Sequence, residues 1–353
     1  MSHHSSKSRK IIIIITTIIT AIVAALMILS AFSGTLQPQS HPRLAVLPLG
    51  FPFLLAANIV MLILCLFICR KSACIPLAAM LLCITDIRAF LPVNIPENIP
   101  QDAVKVLSFN IGGACAEEKQ QFIDYITGQD ADIICLQEVY WKGKWVDNEQ
   151  VRAVYPHIVT LSGKAKMSCV SKYPIVGTEQ IHYKSGGNMS AAYYLDINGD
   201  TVMVINNHFE SYRFSEQELN QYREITGSNM PMRKREEESK DMVKKLMAGK
   251  KMRGPQVEAV NDYMLRNWKR HTIVCGDFNE TANEYAHYLL TKKLNDAFTR
   301  AGNGFGFSFS KNKLHFRIDH ILCSEDIKPI GSFVDKSCAL SDHFPIISHL
   351  KLK

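Results

Sequence analysis

The chain has 353 residues, 47% of them hydrophobic, and a formal net charge of +7. It is longer than one average domain and its apolar residues are concentrated near the N-terminus, which predicts a membrane part followed by one large globular part. Only seven of the 40 basic and two of the 33 acidic residues lie before residue 101, so the globular part is close to neutral, which argues against a large electrostatic footprint for duplex DNA.

Three long apolar runs open the chain, at about residues 11–32, 46–69 and 72–91. The first is far longer than the apolar core of a secretory signal and long enough to cross a bilayer, although a cleaved signal remains the alternative. The third is the weakest span because Asp86 and Arg88 interrupt it. Arg88 would lie near the far interface, where its side chain can snorkel.

Basic residues set the expected orientation of these spans. The cluster at residues 7–10 and the pair Arg70 and Lys71 should be cytoplasmic, against Arg43 alone in the other loop. Three spans place the globular part on the non-cytoplasmic side of the cell (inner) membrane. If the third run does not cross, the globular part is cytoplasmic instead.

Residues 91–102 hold three prolines and predict an extended, stiff linker before a catalytic domain at residues 103–353. A polar helical insert is expected at about residues 211–258. Within it, residues 233–253 carry nine basic and four acidic side chains. A solvated helix face is the ordinary interpretation of such a charge run, and a basic arm for an anionic substrate or lipid head groups is the alternative.

Six strand-like segments of the globular part carry side chains able to ligate a metal or move a proton. A single Asp or Asn after a Gly is an ordinary turn residue, but six such segments rich in Asn, Asp, Glu and His are hard to explain as turns. They are Val104–Asn110, Ile133–Glu138, Val202–His208, Thr272–Asn279, Arg317–Leu322 and Leu340–Ile346.

The set and order of these segments resembles the endonuclease/exonuclease/phosphatase superfamily over roughly residues 104–353. These are divalent-metal phosphoester hydrolases that include pancreatic deoxyribonuclease, abasic-site endonucleases, neutral sphingomyelinases and inositol polyphosphate 5-phosphatases. The resemblance implies an α+β fold, a four-layer α/β/β/α sandwich of two mixed sheets, which the alternation of strand-like and helical runs also suits. It does not specify a substrate.

Glu138 at a strand end offers hard oxygen ligands, and Asn110 lies near it in the family arrangement. Asp342 would complete the metal side of the site. Oxygen ligands of this kind suit Mg²⁺ or Mn²⁺, and the absence of clustered Cys and His argues against zinc.

His343 is the best candidate for the base that activates water, because imidazole titrates near neutral pH. It needs a carboxylate to fix its tautomer, and in the family the residue equivalent to Asp319 forms that pair. By the same resemblance Asp277 would position or deprotonate the water. Asn279 would hold a phosphoryl oxygen, and His208 would donate a hydrogen bond or proton from the other side.

Four further residues are predicted to bind substrate: Asn206, Arg253, Phe305 and Phe307. The two Phe residues lie in a Gly-rich segment and are suited to stack on bases or enter a lipid surface. An alternating strand with a Phe face in the core is the alternative for that segment.

The sequence thus predicts an integral membrane phosphodiesterase or nuclease, with no protein partner. A lipid or inositol-phosphate phosphoesterase using the same site is the alternative, and an inactive membrane-tethered binding protein is the alternative from another class. Nucleic acid, a phospholipid head group and an inositol phosphate all remain open as the phosphoester.

Overall fold

The computed structural model describes the whole chain except residues 1, 113–118, 140–145, 164–165, 213, 215–217, 219–231 and 312–313. Its α-helices are α1 (Ser2–Ser33), α2 (Phe51–Ile68), α3 (Cys74–Leu82), α4 (Ile84–Phe90), α5 (Lys119–Gly128), α6 (Glu149–Val154), α7 (Met232–Arg266), α8 (Tyr285–Thr291) and α9 (Ala297–Ala301). Short 3-10 helices cover Leu44–Gly50 and Arg70–Ala73. The strands are β1 (Val104–Asn110), β2 (Ile133–Gln137), β3 (His157–Ser162), β4 (Lys166–Ser171), β5 (Ile175–Ile181), β6 (Met189–Ile197), β7 (Asp200–His208), β8 (His271–Asp277), β9 (Asn295–Asp296), β10 (Phe309–Lys311), β11 (Leu314–Phe316), β12 (Asp319–Cys323), β13 (Ile327–Val334) and β14 (Ile346–Leu352).

Twelve of these strands form two six-stranded mixed sheets, in the orders β13-β14-β1-β2-β4-β3 and β5-β6-β7-β8-β12-β9. Each sheet has one parallel pair at its centre, β1 with β2 and β7 with β8, while the neighbouring pairs are antiparallel. The carboxyl ends of two parallel strands meet at one edge of their sheet. Each sheet therefore delivers two strand ends to the same place.

The two sheets pack face to face and helices cover their outer faces. Val106, Cys135, Tyr193 and Ile273 belong to the core between the sheets. Side chains of α5 and α6 pack on the outside of the first sheet, and those of α7 and α8 on the outside of the second. The predicted four-layer α/β/β/α sandwich is confirmed.

The apolar N-terminal part contains two helical stretches long and apolar enough to cross a membrane, at residues 7–33 and 44–68. The third run differs from a single straight helix, because α3 and α4 meet at Cys83 with a bend of 65°. No proline or glycine causes this break. Two carbonyls of α4, beyond this bend, accept hydrogen bonds from the globular part: that of Asp86 from Asn283, at 3.0 Å, and that of Ala89 from Arg317.

Contacts among these helices show in which direction the third run passes along α1. The hydroxyls of Thr17 and Ser72 lie 2.8 Å apart, so α3 starts beside the N-terminal half of α1. Cys83 packs with Met27 and Ala31, near the C-terminal end of α1. The third run thus travels along α1 in the same direction as α1 itself, despite its bend.

Loop residues after α1 also contact the globular part. The side-chain amides of Gln37 and Gln39 both donate to Glu258 on α7, at 3.0 and 2.7 Å. Beyond α4, the chain contains no helix or strand over residues 92–100, and Asn94 bonds the backbone carbonyls of Thr299 and Gly302. The apolar N-terminal helices therefore contact the globular part through the loop after α1 and through the end of α4, among other described residues.

Candidate active site

Five strand ends bring the predicted polar residues to one edge of the sandwich. Asn110 ends β1 and Glu138 follows the parallel strand β2. His208 and Asp277 end the parallel strands β7 and β8 and are paired in register. Asp319 begins β12 directly opposite Asp277, so the topology of the sheets determines the neighbours of each side chain.

Asn110 links the two sheets within this site. Its amide nitrogen donates to Glu138 Oε1 at 3.2 Å and to Asp277 Oδ2 at 3.0 Å. His208 Nε2 lies 3.3 Å from the same Glu138 oxygen and 3.7 Å from Asp277 Oδ2. Two carboxylates from different sheets thus share one hydrogen-bond donor, the Asn110 amide, with His208 Nε2 close to both.

His343 enters the site from the loop before β14. Its Nδ1 lies 2.9 Å from Asp319 Oδ2, and its Nε2 is 3.8 Å from Asp277 Oδ2. The bond to Asp319 fixes the ring, so Nε2 is the nitrogen turned toward the cluster. Asn279 completes this side, with its backbone N–H on Asp277 Oδ1 at 2.8 Å and its side-chain amide on Asp277 Oδ2 at 3.1 Å.

Burial and neighbouring charges shift the acid–base properties of the cluster in different directions. Burial raises the pKa of both Glu138 and Asp277 and lowers that of His208. Burial would also lower the pKa of His343, but the charges of Asp319 and Asp277 outweigh it and raise this pKa to about 10. The two carboxylates therefore favour the protonated form of His343.

The role of His343 as the base stays a prediction. In its imidazolium form, with both nitrogens protonated, the ring has no lone pair for a proton from water and would act as a donor. Asp277 has the opposite property. Its raised pKa makes it a stronger proton acceptor than an ordinary carboxylate.

Two of the clustered residues have a backbone conformation that side chains other than Gly, Asn and Asp seldom adopt. Glu138 has φ 58° and Asn279 has φ 50°. Gly276 has φ +124°, and a Cβ built there would lie 2.0 Å from the Asn207 carbonyl oxygen. Left-handed backbone at a bulky residue costs about 1–2 kcal/mol and clusters at functional sites.

Several predicted residues lie apart from this cluster. Asn206 is fully buried between the sheets, where its amide donates to the Leu136 carbonyl and accepts from Gln137. Arg253 is fully buried and its guanidinium bonds Glu280 and the Glu210 carbonyl. Neither side chain is exposed in this structure, so their substrate-binding roles stay predictions.

Asp342 and the Phe segment lie at the margin of the site. Asp342 is half-buried, pairs with Lys311 at 3.2 Å, and helps to raise the pKa of Glu138. Phe305 and Phe307 are stacked on each other with ring centroids 5.1 Å apart, in a loop and not in a strand. Their chain neighbour Phe309 meets the ring of His343 edge-on at 5.1 Å.

The donor set of this site fits a hard divalent cation. Asp277, Asp319 and His343 have ligand atoms within 4.8 Å of one another, Glu138 shares the Asn110 amide with Asp277, and Asp319 Oδ1 is buried without a hydrogen-bond partner among the described residues. Oxygen ligands are those that Mg²⁺ and Mn²⁺ prefer. Charge is costly to bury uncompensated, so a cation among these carboxylates is physically favourable.

A second cluster, His287, Asp296 and His320, also has ligand atoms within 4.8 Å of one another. Here Arg317 already supplies the positive charge, with Nη1 3.1 Å from Asp296 Oδ2. The hydroxyl of Thr299 donates to the same oxygen at 2.6 Å. The protein's own donors thus satisfy this carboxylate.

Two groups important for the site were missed from the sequence. Ser308 is fully buried and its hydroxyl accepts from the backbone N–H of Asp319 at 3.1 Å, while its carbonyl accepts from Phe344 at 2.6 Å. It therefore fixes the backbone beside both members of the His343–Asp319 pair. The alternation of Phe and Ser in this segment is a signal that one Ser faces inward.

The other missed group is a buried ion cluster behind Asn279. Lys250 bonds Glu284, and Glu280 lies between Lys250 at 3.5 Å and Arg253 at 2.9 Å. Glu280 directly follows Asn279, so this cluster anchors the segment that carries it. The charge-rich sequence of α7 gave no sign that two of its basic residues are buried.

Comparisons with known proteins agree with this arrangement. A family model described as the Endonuclease/Exonuclease/phosphatase family matches residues 107–343, more than half of the chain. Members of that family generally use divalent metals. A second model, for a domain of unknown function, matches residues 9–90. No curated protein matches the chain.

Solved structures share the fold at low sequence identity. TDP2 of D. rerio, complexed with a single-strand DNA product, is 16% identical over 71% of this chain and 99% of its own, with a TM-score of 0.52. The human Nocturnin catalytic domain with a bound sulfate anion is 14% identical over 72% and 97%, with a TM-score of 0.52. Sphingomyelinase C from Streptomyces griseocarneus is 18% identical over 70% and 99%, with a TM-score of 0.51.

Proposed function

Because this chain belongs to the Endonuclease/Exonuclease/phosphatase family, we propose that it is a membrane-anchored, divalent-metal-dependent hydrolase of phosphodiesters. The observation that carries the proposal is the meeting of both sheets' strand ends around Asn110. One nitrogen there contacts a carboxylate from each sheet, beside a buried His–Asp pair. Carboxylates, a charged donor and a neutral histidine are the groups that phosphoester hydrolysis requires.

Glu138, Asn110 and Asp342 would hold Mg²⁺ or Mn²⁺ in this proposal. When bound, the ion neutralises charge on the phosphoryl oxygens. Asn110 has a second role in the protein itself, because its amide keeps the carboxylates of Glu138 and Asp277 at a fixed separation.

Asp277 accepts the proton of the attacking water. Its raised pKa increases its basicity, and the two donors from Asn279 hold its carboxylate in place. His343, kept protonated by Asp319, donates through Nε2 to a phosphoryl oxygen. Charge on that oxygen grows in the transition state, so a pre-positioned cationic donor stabilises the transition state more than the substrate.

Burial lowers the pKa of His208, which favours its neutral form. Its Nε2–H faces the oxygens of Glu138 and Asp277, so it donates on the side opposite His343. The leaving oxygen would be stabilised from that side.

We place the catalytic domain on the non-cytoplasmic side of the cell (inner) membrane. Lys7, Arg9 and Lys10 precede α1, and Arg70 with Lys71 lies at the start of the third run, beside the N-terminal half of α1. All five belong on the cytoplasmic side. The loop after α1 and the end of α4, which contact the domain, lie at the opposite end of the helices.

Hydrolysis of bis(p-nitrophenyl) phosphate by the full chain in detergent tests the activity, with and without added Mg²⁺. We expect release of p-nitrophenol that requires the metal and is abolished by chelation. Absence of hydrolysis at saturating metal would instead support a binding protein that has lost catalysis.

A further inference from the structure

A pocket of ≈ 180 Å³ lies between the membrane helices and the catalytic domain. Its lining is predominantly apolar. On the membrane side it includes Leu49, Pro52 and Phe53, and on the domain side Phe305, Phe307 and Phe316.

The mouth of this pocket lies where the protein surface suits hydrocarbon. Phe53 is 74% exposed at the start of α2. Leu81 and Leu82 are exposed at the end of α3, next to Cys83, which packs with Phe51. A contiguous exposed apolar surface of this kind on a helix apolar enough to span a bilayer faces lipid chains, not water.

The inner wall of the pocket continues into the active site. Phe307 lines the pocket, and Phe309, two residues on, contacts His343. Phe316 and Arg317 also line the pocket, and Asp319 follows within three residues. Two residues of extended chain span about 7 Å, so a molecule whose chain fills the pocket can present a phosphate near His343.

The aromatic rings of this wall pack against one another. Phe305 stacks on Phe307 and contacts Phe90 of α4 at 5.2 Å between ring centroids. Rings arranged as a wall bury an apolar chain more readily than they take up separate nucleobases, which need an open face for stacking.

We propose, on the basis of the proposed phosphodiesterase function, that this pocket binds the hydrocarbon chain of a membrane-resident phosphoester lipid. The lipid enters from the bilayer beside Phe53. Its chain packs along the row of Phe rings, and its phosphate lies at the active site. The substrate class is therefore an amphiphile with an anionic phosphodiester and at least one long apolar chain.

Two esters with the same reacting group test this proposal in the full chain: hexadecyl p-nitrophenyl phosphate and methyl p-nitrophenyl phosphate. Wild type should show a kcat/KM for the long ester at least tenfold above that for the short one. Leu49→Gln and Phe305→Ser should reduce this ratio by about tenfold, because losing the burial of only two methylenes has an effect of that size.

Phe67→Ser is the matched control, since Phe67 is 84% exposed on α2 but lies at the end far from the domain. All variants are assayed in the same mixed micelles, so partition of the long ester into the detergent is common to them. The control should keep the wild-type ratio. Pocket variants that also keep it, with the short ester still hydrolysed, would overturn the pocket while leaving the enzyme intact.

A binding measurement separates the pocket from catalysis. A hexadecyl phosphate with a diazirine on a carbon near its phosphate end is photolysed in the full chain, and the labelled peptides are identified by mass spectrometry. Labels on residues 49–53 or 305–307 that excess hexadecyl phosphate competes away support the pocket, even if neither ester is cleaved. Labels confined to outer helix faces such as that of Phe67 would refute it.

Discussion

His343 and Asp319, separated by 24 residues, form a buried hydrogen bond of 2.9 Å between Nδ1 and Oδ2. The carboxylate is at the first residue of β12, while the imidazole lies in the loop before β14, so the pair exists only in the folded domain. Its charge state follows from its surroundings, because Asp277 adds a second negative charge on the Nε2 side.

The pH dependence of activity should report the ionisation of the His343–Asp319 pair. Carboxylate charge raises the pKa of His343 to about 10, so its imidazolium is present below that pH and lost above it. Asp319→Asn removes one of the charges that raise the pKa, so the alkaline limb of kcat/KM should move to lower pH. An alkaline limb that stays in place in this variant would show that another group titrates there.

The acid limb has a different origin. Burial raises the pKa of Asp277, so this residue becomes protonated as pH falls while ordinary carboxylates are still charged. The proposed base is thereby lost at low pH. Asp319→Asn leaves Asp277 in place, so the acid limb should persist in that variant.

Glu138 and His343 should respond differently to metal. Glu138→Gln keeps the size of the side chain but weakens a proposed ligand, so we expect a loss of about a hundredfold or more in kcat/KM, partly restored by excess Mg²⁺. His343→Gln should lose a similar amount with no recovery. Glu325→Gln, at an exposed carboxylate, is the control. If excess Mg²⁺ restored the activity of both variants, the assignment of Glu138 as a metal ligand and His343 as a proton donor would be contradicted.

The orientation in the membrane can be tested with an existing thiol. Among the described cysteines only Cys74 is exposed, and it lies beside Arg70 and Lys71 on the proposed cytoplasmic side. In Cys115→Ser, with any outer barrier removed, an impermeant maleimide should leave Cys74 unlabelled in intact cells. The added substitution Lys269→Cys, at an exposed site on the domain, should become labelled. The reverse pattern would place the domain in the cytosol.

Stability should depend strongly on the buried pair of Arg317 and Asp296. Both side chains are almost fully buried, and Arg317 also donates to the Ala89 carbonyl of α4. Arg317→Met leaves a buried carboxylate without its cation and should cost about 3–5 kcal/mol in the free energy of unfolding. The double variant with Asp296→Asn should recover part of that loss in denaturant titrations. Equal stability of the single and double variants would show that the pair is not coupled.

The pH dependence of this contribution also has a defined sign. Burial opposes ionisation of Asp296, but Arg317 and His287 hold its pKa well below the usual range. Its stabilising effect is therefore present above the ordinary Asp pKa of about 4 and is lost as pH falls toward the folded-state value.

Most of the sandwich was predictable because its strands carry strong apolar patterns that end in polar residues. Placement of individual side chains was less predictable. Asn206 and His208 point to the same face of β7, because they are two residues apart. Asn206 lies deeper between the sheets and His208 at the strand end beside the site, and this depth is known only once the two sheets are packed. Arg253 lies in the charge-rich helix α7, and which side of that helix is buried depends on how it packs against the second sheet.

The break in the third apolar run was not predictable for a related reason. Cys83 is neither a proline nor a glycine, and the partners that α4 meets after the turn, Asn283 and Arg317, lie some 200 residues later in the chain. The role of Ser308 was not predicted, because a serine whose hydroxyl accepts from two backbone N–H groups distant in the sequence belongs to no recognisable motif. Local sequence thus predicted elements, while long-range contacts determined their ends.

Because Glu138 has a left-handed backbone, a substitution that increases thermal stability at this position would also remove a proposed metal ligand. Glycine adopts φ 58° without steric strain, and the substitution would also remove the repulsion between the Glu138 and Asp342 carboxylates. A library selected only for heat resistance should therefore enrich Glu138→Gly, and the survivors would be inert. Thermostabilising campaigns on this enzyme need turnover in the screen from the first round.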